Sequence, residues 1–156
     1  MKVGQVMTKN PGICTIDDSL DRAAQIMWDL DCGCVPVVDS SGRAIAMVTD
    51  RDVCMAAYTQ GKALWQLPLA LAASRKLVSV REEDSIEVAQ ELMERYRVRR
   101  LPVLVGQGRP VGVLSMNDVA RRTQSDQGRR ALKTDAVVRT LVAIGAPAAA
   151  MGARHA

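Results

Sequence analysis

VPVVDSSGRAIAMVTDRDV, residues 35–53, returns 66 positions later as LPVLVGQGRPVGVLSMNDV, residues 101–119, without a gap. The match extends upstream, where DDSLDRAAQIM at 17–27 falls on EDSIEVAQELM at 83–93. Between residues 18 and 53, ten of 36 positions are identical: Asp18/Asp84, Ser19/Ser85, Ala23/Ala89, Met27/Met93, Pro36/Pro102, Val37/Val103, Gly42/Gly108, Arg43/Arg109, Asp52/Asp118 and Val53/Val119. Average residue usage would give about two, and many of the other pairs exchange one apolar residue for another. The chain is a tandem of two similar units, and that constrains the architecture more than any single segment does.

Each unit has the same order of elements. Asp18-Ser19 and Asp84-Ser85 supply helix N-caps. Behind them apolar residues recur at helical spacing: Leu20, Ala23, Ala24, Met27 and Leu30, then Ile86, Ala89, Leu92, Met93 and Tyr96. The runs at 35–38 and 101–105 are too short for helices and rich in β-branched residues, which predicts strands. Turns at Ser40-Ser41-Gly42 and Gly106-Gln107-Gly108 lead into second strands at 44–48 and 111–114, so each pair is expected as a hairpin. Second helices are expected from near Asp50 and Met116, and short leading strands at 13–15 and 78–80. In the linker up to Ser74, Pro68 is expected to be the breaker, with the part before it ending a helix. Leu132, Val137, Val138, Leu141, Val142 and Ile144 predict a last helix over 130–144, stopped by Gly145-Ala146-Pro147, and the final nine residues are expected to fray. The division is residues 1–66 for the first repeat with its linker, 67–123 for the second, and 124–156 for the C-terminal helix and tail.

Composition narrows the function classes. The chain has 156 residues, 48% hydrophobic and 24% charged, which is ordinary for a soluble globular protein and excludes a low-complexity chain. No run approaches the roughly 20 apolar residues of a membrane span, and the N-terminus lacks the apolar stretch of a signal peptide, so a cytoplasmic protein with no membrane contact is expected. The one histidine is His155, which removes most mechanisms built on a histidine base or metal ligand. Four cysteines, Cys14, Cys32, Cys34 and Cys54, are expected as free thiols, since Cys32-Gly33-Cys34 is not a zinc-ligand spacing. Net charge is +4, concentrated in 124–156; within the repeats one basic cluster stands out, Arg95, Arg97, Arg99 and Arg100. With no nucleophile–base pair, no carboxylate–histidine set and no phosphate-binding G-x-x-x-x-G-K-[ST] loop, the chain is not expected to be an enzyme.

Two β-α-β-β-α copies, each with a Val/Leu-Pro-Val strand, a glycine turn and a hydrophobic-[Thr/Ser]-x-x-Asp segment, resemble a CBS-domain pair, or Bateman module. The pattern stands as Val35-Pro36-Val37-Val38 with Met47-Val48-Thr49-Asp50-Arg51-Asp52, and as Leu101-Pro102-Val103-Leu104 with Val113-Leu114-Ser115-Met116-Asn117-Asp118. The resemblance covers about residues 1–123. It implies an α/β (α+β) fold in which the two repeats pack sheet to sheet about a pseudo-twofold axis, with the C-terminal helix outside the pattern. It also implies a regulatory module, without an attached enzyme, channel or transporter domain, that binds AMP, ADP, ATP or S-adenosylmethionine in clefts between the repeats, signals to an unidentified regulated protein and forms homodimers.

Within that resemblance the residues divide by chemistry. A carboxylate can accept hydrogen bonds from both hydroxyls of a ribose, which suits Asp52 and Asp118; in the first turn of a helix each is also favoured by the helix dipole. Thr49 and Ser115, three residues earlier, can cap that helix or meet ribose and phosphate oxygens. The same S/T-x-x-D spacing is also a plain capping box. Arg51 is a phosphate candidate that Asn117 replaces in the second repeat, so the clefts are expected to differ. By analogy with the family, the residues before the Pro-Val strand line the cleft. Val98, Arg99 and Arg100 are assigned in this way to the second repeat's cleft, and Cys32, Gly33 and Cys34 to the first, where an adenine would pack against Val37 or Met47. Two other functions stay open: a dimerisation scaffold without ligand, and nucleic-acid contact through the arginine cluster and basic tail, which the lack of interleaved aromatics makes unlike a single-strand reader.

Overall fold

The structure, a computed structural model, describes residues 1–74, 76–125 and 134–146. The first repeat contains β2 (Cys14–Thr15), α1 (Leu20–Asp29), β3 (Cys34–Val38), β4 (Ala44–Thr49) and α2 (Asp50–Gln60). The second contains β5 (Val80–Arg81), α3 (Ile86–Tyr96), β6 (Arg100–Val105), β7 (Arg109–Ser115) and α4 (Met116–Ser125). A two-residue strand, β1 (Thr8–Lys9), precedes them, and α5 (Thr134–Gly145) follows. The two β-α-β-β-α units pack through their sheets about a pseudo-twofold axis that exchanges residue n with residue n + 66.

The repeat is kept in detail. In each, the leading strand runs parallel to the middle strand and the hairpin is antiparallel, with Cys34 opposite Thr49 and Arg100 opposite Ser115. Both hairpins carry an irregularity at the same place, between Val37 and Val38 and between Val103 and Leu104. Asp18 and Asp84 do not cap their helices themselves. Each carboxylate accepts from the backbone N–H three residues earlier, of Thr15 and of Arg81, at 2.7 Å, and so closes the strand-to-helix turn. The caps are Ser19 and Ser85, and Ser85 accepts from Val88 N–H at 3.3 Å. Helices α1 and α3 then end through equivalent non-glycine residues in the left-handed region, Asp31 (φ 47°) and Arg97 (φ 52°). That conformation costs roughly 1–2 kcal/mol, and it turns the chain sharply into the segment before the Pro-Val strand.

The two cores are not divided where the linear repeats are. Val3 and Met7 belong to the core of the second repeat, with Ile86, Met93, Leu101 and Leu114. Leu67 and Leu69 belong to that of the first, with Leu20, Val35, Val37 and Val48. Strand β1 pairs antiparallel with β7, while Ser74 N–H donates to Met47 O at 2.9 Å and Ser74 Oγ accepts from Met47 N–H at 3.0 Å. Each repeat is thus preceded by a segment that docks on the other one.

Two expectations are corrected, and a third falls partly outside the described residues. Helix α2 stops at Gly61, which takes the left-handed conformation (φ 60°) that glycine adopts without penalty; Pro68 lies beyond it, between two 3-10 turns at Leu64–Gln66 and Leu69–Leu71. The leading strand of the second repeat is Val80–Arg81 rather than 78–80. The last helix is described from Thr134; residues 130–133 and the tail expected to fray lie outside the described residues. Helix α5 packs on α3 and α4, burying Val137 and placing Thr140 between Gln90 and Glu94.

Candidate functional site

At the corner where β4 enters α2 there is no loop. Thr49 is the N-cap: its Oγ1 accepts from Asp52 N–H at 3.2 Å, while Asp52 Oδ2 accepts from Thr49 N–H at 3.0 Å and from Thr49 Oγ1 at 2.6 Å. The β7–α4 corner repeats this: Ser115 Oγ accepts from Asp118 N–H at 3.1 Å, and Asp118 Oδ2 accepts from Ser115 N–H at 2.9 Å and from its hydroxyl at 2.6 Å. Both are complete capping boxes, a device that satisfies orphan N–H groups at the helix start. The bonds that each carboxylate accepts within its cap all go to Oδ2. Oδ1 takes no part in the cap, and in Asp118 it accepts from Arg121 Nη2 at 3.4 Å. Capping and ligand contact, weighed as alternatives in the sequence, are compatible in the same carboxylate.

Each corner lines a cleft between the repeats. One cleft, of about 420 Å³, is built from Met47 and Thr49–Asp52 of the first repeat, Ser74, Lys76 and Val78 of the linker, 97–100 of the second repeat, and Ile144. The other, of about 360 Å³, is built from Val113, Ser115, Asn117, Asp118 and Arg121 of the second repeat, 8–12 of the N-terminal segment, and 30–34 of the first repeat together with Arg100. Shifting the first lining by 66 residues reproduces most of the second, so these are the two pseudo-twofold copies of one site. Both volumes lie in the range of small-molecule pockets, about 300–1,000 Å³. A larger hollow of about 640 Å³ lies away from them, between the β5–α3 turn and the β6–β7 hairpin. It is lined by the second repeat alone and brings no corner residue to it.

The structure brings most of the expected residues to these clefts but distributes them differently. Val98 and Arg99 face Thr49, Arg51 and Asp52 and not Ser115 and Asp118, Arg100 reaches both corners, and Cys32, Gly33 and Cys34 face Ser115 and Asp118. The assignment by repeat is therefore crossed, because each cleft joins the helix corner of one repeat to the pre-strand segment of the other. Arg100 alone among these residues lines both clefts. Met47 lines the cleft of its own corner, whereas Val37 is fully buried in the first core and reaches neither cleft. Residues that the sequence did not assign to a cleft also line them: Thr8 and Ser74, Lys9, Lys76, Asp31, Arg97 of the arginine cluster and Ile144 of the last helix. Their sequence signal was faint, a hydroxyl residue followed by a base in both Thr8-Lys9 and Ser74-Arg75, at the same offset of 66.

The charge of the two clefts differs. The cleft at Asp52 has five cationic residues, Arg51, Lys76, Arg97, Arg99 and Arg100, with two carboxylates; the cleft at Asp118 has Lys9, Arg100 and Arg121, also with two carboxylates. Three members of the arginine cluster, Arg97, Arg99 and Arg100, thus line a cleft, Arg99 while remaining exposed to solvent. Cys34, on the wall of the Asp118 cleft, is buried, and burial pushes its thiol up to about 12 against the lowering pull of Arg100. It is a protonated wall residue and not a nucleophile.

Comparison with known proteins follows the same lines. The family model described as "CBS domain" matches twice, at residues 3–58 and 70–125. The CBS domain-containing protein YhcV of Bacillus subtilis is 32% identical over 125 residues, 80% of this chain and 87% of its own. Among solved structures, the CBS domain pair of protein MJ0100 in complex with 5-methylthioadenosine and S-adenosyl-L-methionine superposes with a TM-score of 0.72 at 21% identity, covering 80% of this chain and 97% of that one. CBSX2 in complex with AMP superposes with a TM-score of 0.69 at 23% identity, covering 81% and 98%.

Proposed function

This chain belongs to the CBS-domain family, with two copies of the domain in tandem, and from that premise we propose that it is a regulatory module that binds an adenosyl ligand in the clefts between its repeats. The observation that carries the reading is the pair of corners. Each holds a carboxylate in the first turn of a helix with one oxygen free of the cap; Arg97, Arg99 and Arg100 of the other repeat line the cleft at Asp52, and Lys9, Arg100 and Arg121 line the cleft at Asp118. That arrangement suits a ribose at the carboxylate and a phosphate against arginine and a helix N-terminus. Relatives with the same fold were solved with S-adenosylmethionine and methylthioadenosine and with AMP. The ligand class is AMP, ADP, ATP or S-adenosylmethionine, and the readout is a protein partner.

Homodimerisation and a cytoplasmic place of action belong to the same reading. Trp28, Tyr58 and Trp65 are 87%, 81% and 68% exposed on the first repeat, an apolar surface suited to a second copy. No helix among the described residues is long and apolar enough to cross a membrane.

A thermal-shift panel of the four ligands followed by calorimetric titration tests the proposal. A ligand at a hundredfold excess over Kd should raise stability by about 2.7 kcal/mol. Asp52→Asn and Asp118→Asn keep an oxygen for the cap and lose the charge. Each should weaken one site by about 1.5–3 kcal/mol, tenfold or more, with the fold intact. Binding untouched by both substitutions would leave a ligand but refute its place. No binding of any adenosyl compound would leave the dimerisation scaffold as the better account.

A further inference from the structure

The two clefts share a wall, and one side chain crosses it. Arg100 begins β6 opposite Ser115 and lines both clefts. Its guanidinium passes over Gly33: a Cβ built on that glycine would stand 2.5 Å from Arg100 Nη2 and 2.9 Å from Asp50 Oδ2. Any side chain at position 33 would have to displace the arginine, so the glycine is what lets the guanidinium lie between the clefts. The residue equivalent to Arg100 under the pseudo-twofold is Cys34, and the one equivalent to Gly33 is Arg99. The axis is therefore broken at its centre, with one guanidinium where symmetry would have two. Arg100 is half-buried, and among the described residues its guanidinium makes no hydrogen bond and no ion pair within 4 Å. Arginine stays charged at any accessible pH and pairs with phosphate in a fixed fork.

Resting on the nucleotide reading above, we propose that Arg100 is a single cation shared by the two clefts, so that a phosphate bound in one weakens phosphate binding in the other. The Asp52 cleft keeps Arg51, Arg97, Arg99 and Lys76 when Arg100 turns away. The Asp118 cleft faces Asn117 and has only Lys9 and Arg121 besides, and Arg121 is already beside Asp118. Filling the Asp52 cleft with a phosphorylated ligand draws the shared guanidinium toward it and leaves the Asp118 cleft poorer. The coupling is reciprocal, as any linkage between two binding equilibria must be.

Calorimetric titration with AMP and with adenosine separates this from simple inequality of the sites. Asp52→Ala weakens one cleft and Asp118→Ala the other by tenfold or more, so that titration below saturation of the weakened cleft gives the Kd of each with its neighbour largely unfilled. In the wild type, AMP should then bind its second site about five- to tenfold more weakly than the isolated site does, and adenosine should bind additively. Arg100→Gln and Gly33→Val, which remove or displace the guanidinium by independent routes, should each make AMP additive. A wild type that takes one AMP while Asp52→Ala still takes one is the same coupling at its extreme. An additive AMP isotherm in the wild type, coupling that persists in Arg100→Gln, equal coupling for adenosine, or an Asp118 cleft that takes no AMP even in Asp52→Ala would each overturn the shared cation while leaving the nucleotide reading in place. No binding of either compound by the wild type would remove both.

Discussion

The cleft at Asp52 and the cleft at Asp118 are built from one template and have been given different chemistry. Their backbones agree to the level of the capping box, the hairpin irregularity and the left-handed residue that ends the preceding helix. Their walls do not: Arg99 stands where the other has Gly33, Arg51 where the other has Asn117, and Arg100 where the other has Cys34. The backbone template is held by buried apolar pairs and cap hydrogen bonds, which tolerate few substitutions. Arg51, Arg99 and Asn117 are exposed on these walls, where substitutions cost little stability, so charge can diverge there without disturbing the fold. Two nominally equivalent sites can in this way differ in ligand, in affinity, or in both.

The comparison breaks first if the repeats turn out to be separable. Leu69 is fully buried in the core of the first repeat although it lies in the linker, and Val3 is fully buried in the core of the second although it precedes the first. Neither core can close unless the chain crosses to the other repeat. Leu69→Ala should cost about 2–5 kcal/mol, and in urea the fluorescence of Trp28 and Trp65, both in or beside the first repeat, should move together with far-ultraviolet circular dichroism in one transition. A second transition, with α3 and α4 surviving the loss of the first repeat, would show two independent bodies.

The charge difference is sharpened by Arg51. Arg51→Ala should weaken ATP or AMP in the Asp52 cleft by roughly tenfold, near the 1.4 kcal/mol that a factor of ten represents, and should leave adenosine almost unchanged. The equivalent Asn117→Ala should change both ligands little. Because the contact is partly exposed, the effect should shrink as salt rises from 50 to 300 mM, about where the Debye length falls below 8 Å. Titrations of both variants at the two salt concentrations check this; equal losses for adenosine and AMP would mean that Arg51 shapes the wall and does not meet phosphate.

Much of this was legible in the sequence because the evidence came in pairs. A single Thr49-Asp50-Arg51-Asp52 is an ordinary cap; its recurrence as Ser115-Met116-Asn117-Asp118, behind two Pro-Val strands at one offset, located both hairpins and both corners. The exchange of walls was not legible. Sequence order associates Arg99 with Asp118, which lies 19 residues on, whereas packing about a twofold axis places it opposite Asp52. The docking of residues 1–9 and 67–74 on the opposite repeats was hidden for the same reason, since these segments share almost no identities. Val37 illustrates the reverse limit: strand periodicity marks it as apolar, but whether an apolar strand residue faces a core or a cleft depends on what covers the sheet. Gly61 outranked Pro68 as a helix stop because a left-handed glycine closes the final turn directly, while the proline acts only on residues next to it.

The mildest test of the comparison uses the cysteines. Cys34 occupies the position that carries Arg100 in the other repeat; it is buried, and burial raises its thiol from the ordinary 9.0 to about 12, with Arg100 opposing the shift. Cys14, buried in the first core, is raised to about 11 by the same cause, aided by Asp18. Cys54 is exposed on α2. At pH 8, iodoacetamide should label Cys54 in the native protein while sparing Cys14 and Cys34, and should label all four after denaturation, as counted by mass spectrometry. The linkage has a definite sign. Above pH 9 the unfolded chain loses protons that the native thiols still hold, so the unfolded state binds fewer protons and stability must fall as pH rises. The contribution is complete below pH 9 and is lost progressively toward about 12, with a slope of at most about 1.4 kcal/mol per pH unit for each thiol. Cys34→Ala should therefore be less sensitive than the wild type to a rise from pH 9 to 10.5, whatever its stability at neutral pH. Identical slopes in the two proteins, or ready labelling of native Cys34 at pH 8, would mean that the wall of the Asp118 cleft is open to solvent and that its difference from the Asp52 cleft is smaller than its residues imply.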